Sequence, residues 1–118
     1  MKPHSTKFFA LSLTVVASLL SACGSTNNRP TYDGVQFKTK AKAVDKKVSR
    51  ADFVVEVQQA SLSLEGARLA AHHAGVQYCI REAGYGTSKI IWDVNPYDTE
   101  AQLNLVGGTA VFNGKCDP

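Results

Sequence analysis

The sequence predicts an α+β fold in which one helix packs on an antiparallel sheet, with its elements in the order β-β-α-β-β. Three observations predict it. Residues 34–43 and 53–58 alternate with the period of two that marks half-buried strands. From Ser61 to about Ala83 the pattern changes to a helical one, closed by Gly84. Beyond it the chain returns to β-branched and aromatic runs at 88–94 and 102–112.

The first strand sets Val35, Phe37, Thr39 and Ala41 on one side and Gln36, Lys38, Lys40 and Lys42 on the other, giving it a basic solvent face. Asp45-Lys46-Lys47-Val48-Ser49-Arg50 is a polar turn. Phe53, Val55 and Val57 then alternate with Val54, Glu56 and Gln58, a strand expected to return antiparallel as a hairpin. Ser61 or Ser63 can cap the helix, Glu65 suits its first turn and Gly84 its end. The third strand, Ser88–Val94, carries Ile90, Trp92 and Val94 on one face, and Asn95-Pro96-Tyr97-Asp98 makes a turn. In the fourth, Gln102–Phe112, Gly107-Gly108 marks a bulge or a break into two pieces.

The helix carries two apolar stripes, although a helix on one sheet needs one. Leu62, Leu69, Val76 and Ile80 form the first; Leu64, Ala67, Ala71, Ala74 and Tyr78 form the second, roughly opposite. The pattern leaves open which is core. With the Leu62 stripe inside, the second becomes an outward interaction surface.

Residues 1–23 are read as an export signal. Lys2 and Lys7 precede an uncharged run, Phe8–Leu20, which at roughly 13 residues is short of the ~20 needed to span a bilayer. Leu20-Ser21-Ala22-Cys23 resembles a bacterial lipobox, and with it the chain resembles the small lipoproteins of the bacterial cell envelope. The resemblance implies cleavage before Cys23, acylation of its thiol, and, with Gly24-Ser25 following, an outer-membrane anchor facing the periplasm. Residues 24–31 read as a tether reaching on the order of 15 Å, and 33–118 as a single domain.

Without residues 1–22 the chain has 96 residues, with 11 basic against 10 acidic side chains, so its precursor pI of 8.8 is no nucleic-acid signature. Cys79 and Cys116 remain as an even pair in an oxidising compartment and are expected to form a disulfide. His72-His73 point about 100° apart on a helix and cannot chelate one ion together, so no metal site and no cofactor are expected. Ser61, Ser63, Ser88 and Cys79 lack a nucleophile-elbow context, and Gly84-Tyr85-Gly86-Thr87-Ser88 follows a helix instead of leading one. The expectation is a non-enzymatic module binding another envelope protein or a second copy through the Leu64–Tyr78 stripe or through Lys38, Lys40 and Lys42. A small-ligand, lipid or lipopolysaccharide module is the alternative, and a hydrolase stands third.

Overall fold

A computed structural model describes residues 30–118; the signal-like segment, Cys23 and the tether up to residue 29 lie outside the described residues. The elements are β1 (Thr39–Asp45), β2 (Ser49–Val57), a 3-10 turn (Ala60–Leu62), α1 (Leu64–Gln77), a π-helical turn (Tyr78–Glu82), β3 (Ile90–Trp92), β4 (Asn104–Val106) and β5 (Thr109–Cys116). One helix thus packs on an antiparallel sheet, with strands before and after it. The sheet runs β1-β2-β5-β3, and β4 also pairs with β5. With β2 on one edge of β5, β3 and β4 lie end to end along the other, opposite residues 114–116 and 109–111.

The fourth expected strand is two strands. Gly107 and Gly108 both have positive φ, 58° and 83°, and form the two-residue turn of a β4–β5 hairpin. Other boundaries shift. The first strand starts at Thr39, because residues 32–35 close on themselves through reciprocal Tyr32–Val35 backbone bonds. The second starts at Ser49, where buried Ala51 continues the inward set of Phe53, Val55 and Val57.

Helix α1 begins at Ser63, whose Oγ accepts the Gly66 N–H at 3.0 Å and donates to Asp33 Oδ2 at 2.6 Å. At the other end Ala83 N–H reaches Tyr78 O and Tyr85 N–H reaches Cys79 O, with Gly84 at φ 77° providing the left-handed step.

The helix faces are the reverse of the outward assignment of the second stripe. Ala67 and Ala71 are wholly buried and Tyr78 is 4 % exposed, whereas Leu62 is 64 %, Leu69 39 % and Ile80 40 % exposed. Ala74 is half-buried against the core, and Leu64 alone of its stripe is exposed. The reason is steric. The sheet supplies the bulk with Phe53, Val55, Val57 and Phe112, plus Trp92 stacked edge-on against both phenylalanines. A helix meeting such a surface must present small residues. A Cβ on Gly75 would lie 2.6 Å from Trp92 Cη2, and one on Gly66 would lie 2.9 Å from Phe37 Cε2.

Cys79 and Cys116 form the expected disulfide, with Cα atoms 5.6 Å apart, fastening the end of β5 to the π-helical turn.

Candidate functional site

Strand β1 is an edge strand, paired with β2 on one side and with no described strand on the other. Its hydrogen-bonding parity follows from one bond. Gln58 N–H donates to Lys38 O at 3.0 Å, so Lys38, and at alternate positions Lys40 and Lys42, turn their peptide groups toward β2. The N–H and C=O groups of Thr39, Ala41 and Ala43 therefore point outward along the free edge. The side chains divide in the opposite sense. Thr39, Ala41 and Ala43 share the helix side of the sheet with Phe37, while Lys38, Lys40 and Lys42 stand exposed on the other face.

Charge on that face is only partly matched across strands. Lys40 is opposite Glu56 and Asp52 is opposite Lys115, but Lys42 is opposite Val54. The row thus keeps basic character at its edge.

Two depressions flank this edge on the helix side. One, of about 370 Å³, is bounded by Pro30, Tyr32, Phe37, Thr39, Ala70 and His73. The other, of about 330 Å³, lies between Ala41, Ala43, Lys46, Arg50, Tyr78 and Glu82. Tyr78 is fixed there by its hydroxyl, which donates to Arg50 O at 2.7 Å. Burial, with Glu82 nearby, pushes that phenol above its ordinary range while Arg50 opposes the shift. It thus remains a neutral donor at physiological pH.

No protein-family model, curated protein or solved structure matches the chain. What the edge can do follows from its own chemistry. Small side chains at Ala41 and Ala43 leave the free peptide groups accessible, and lysines at alternate positions bias which neighbours they accept.

The histidines do not converge. His72 Nδ1 is 3.0 Å from Tyr97 Oη with the rings 4.4 Å apart, whereas His73 lies against Tyr32 at 6.2 Å. Burial, and secondarily His73, hold the His72 imidazole below its ordinary value. Among the described residues no three His, Cys, Asp or Glu side chains are grouped to hold a metal ion. Both histidines and both tyrosines line a further depression on the outer side of α1 with Leu69 and Val76.

Of the interaction candidates, Lys38, Lys40 and Lys42 stand together and exposed. Ala67, Ala71, Ala74 and Tyr78 belong to the core, and Leu64 is left isolated from them at the start of α1. Sequence reasoning missed Tyr32 and Tyr97, which only the folded loops bring beside the helix. It also missed Arg68, which is buried and donates to Asp98 O at 2.6 Å and Ala101 O at 2.5 Å. A signal for Arg68 existed, since it sits next to Ala67 and Ala71 on the small-residue side of the helix.

Proposed function

We propose that the chain is a lipid-anchored, periplasm-facing lipoprotein of the outer membrane whose domain acts as a non-enzymatic interaction module for another envelope protein. The observation that carries the functional part is the free, basic edge of β1 with depressions on its helix side. An open edge is a ready template for a partner chain, and its lysines limit indiscriminate pairing. The compartment is supported by Leu20-Ser21-Ala22-Cys23 together with the Cys79–Cys116 bridge, since structural disulfides persist in oxidising surroundings.

A second reading, a small-ligand or lipid-binding lipoprotein, is favoured by one observation. The Tyr32–His73 depression lies within the lower size range of ligand sites and opens beside Lys38.

The experiment is site-specific photocrosslinking of the full chain in the native envelope, with the reactive group at position 42 or at position 69. Mass spectrometry of the mature terminus accompanies it. The expected result is an acylated Cys23 as first residue and a discrete protein adduct from position 42. An unmodified terminus other than Cys23 overturns the anchor, and adducts with lipid alone overturn the protein-binding module in favour of the second reading.

A further inference from the structure

The geometry points to strand addition: we infer that β1 takes up an extended segment of a partner protein as a sixth strand, one with acidic residues at alternate positions. This rests on the interaction-module reading and names its mode and the chemistry of its partner.

Backbone comes first. Thr39, Ala41 and Ala43 direct their N–H and C=O groups away from β2, presenting three consecutive hydrogen-bonding positions to an antiparallel neighbour. On the added strand, residues opposite these three would project to the helix side. There the two depressions, one by Tyr32 and His73 and one by Tyr78, receive side chains two to four positions apart in an extended chain. Residues opposite Lys40 and Lys42 would project to the open face. These are non-hydrogen-bonded pairs, in which cross-strand side chains approach most closely, so charge is read strongly there. Carboxylates at those positions meet Lys38, Lys40 and Lys42 directly or diagonally.

The same arithmetic disfavours a second copy of this chain. Two β1 strands paired antiparallel would bring Lys40 and Lys42 against their counterparts, like charge facing like charge. A flat anionic surface would use the lysines but leave the outward peptide groups without strand partners.

The test is binding of a synthetic peptide of about ten residues alternating aspartate and valine to the full-length chain in detergent micelles, read by amide chemical shifts and titration. A peptide alternating lysine and valine and phosphatidylglycerol vesicles serve as comparisons. The expected result is saturable binding of the acidic peptide, with the largest amide shifts at Thr39, Ala41 and Ala43, and binding of the lysine peptide at least about tenfold weaker. Ala41→Pro removes an outward N–H without touching the β1–β2 ladder and should abolish binding with near-UV circular dichroism unchanged. Lys40→Glu with Lys42→Glu, both exposed, should reverse the preference to the lysine peptide and supplies a second measure should the proline variant misfold. Equal binding of both peptides, wild-type binding by folded Ala41→Pro, or vesicle binding that is the sole interaction overturns strand addition. The two readings fail separately: adducts at position 69 and none at 42 would keep the module and remove this edge, lipid adducts alone in the envelope would overturn the module itself, and an unacylated terminus would overturn the anchor while leaving peptide binding intact.

Discussion

At the scale of single residues, the seam where α1 covers the sheet tolerates almost no added volume, and unpaired charge even less. Ala71 has no exposed surface, so Ala71→Glu is expected to destabilise the domain by about 3 kcal/mol or more through an unpaired buried carboxylate. Loss of the native circular dichroism spectrum at ambient temperature checks this; a folded variant would show that the helix can turn its other stripe inward. Gly75→Ala poses a finer contest. Alanine gains roughly 1 kcal/mol in helix propensity, but its Cβ would lie 2.6 Å from the Trp92 ring, and overpacking costs about 1–3 kcal/mol. A lowered melting temperature is expected, where an exposed helical glycine would give a raised one. His72 adds a pH dependence. Its imidazole is harder to protonate in the fold than in the unfolded chain, first through burial and then through His73. Stability is therefore full above the ordinary histidine value of about 6.5 and declines as pH falls through the lower folded value. Melting curves between about pH 7.5 and 5.5 should show that decline, and His72→Gln should flatten it.

At the scale of elements, the legible parts were those with local causes. Ser63 caps α1, Gly84 ends the helical segment, and the Gly107-Gly108 break is a turn, because each depends on a short stretch of backbone. The Lys38, Lys40, Lys42 row was legible too, since parity alone puts these residues on one face. The inward side of α1 was not. Amphipathicity assigns large residues to the core, but the relevant quantity is complementarity with the opposing surface. Phe53, Phe112 and Trp92 come from segments up to 59 residues apart in sequence, and only their convergence makes alanine and glycine the fitting choice for the helix. The pairing of Tyr97 with His72 and of Arg68 with the 98–101 loop likewise depends on where that loop settles. Arg68→Ala is expected to strip the Ala101 carbonyl of its Arg68 partner, while Asp98 O keeps the Ala101 N–H at 3.2 Å, and to cost about 1–3 kcal/mol, with faster amide exchange confined to the loop as the distinguishing readout.

At the scale of the whole molecule, the disulfide adds to what the buried core supplies. It closes a separation of 37 residues, for which chain entropy gives about 4 kcal/mol, a large share for a domain this small. Replacing both Cys79 and Cys116 with Ala should lower the denaturant midpoint accordingly, with an unchanged fold in the absence of denaturant. Anchoring belongs to the same scale. Replacing Cys23 with Ala should remove the proposed acyl acceptor and leave uncut precursor or soluble chain, readable by membrane fractionation.

The position of β5 has a consequence in time. It is the latest strand in chain order, yet β2, β3 and β4 all take hydrogen bonds from it. An emerging chain can form the β1–β2 hairpin and α1 early, but the middle of the sheet stays open until residues 109–116 arrive. Any chain halted before Thr109 is therefore held short of its native state by topology alone. Commitment to the fold comes with the final strand, and oxidation of Cys116 onto Cys79 then makes that step hard to reverse.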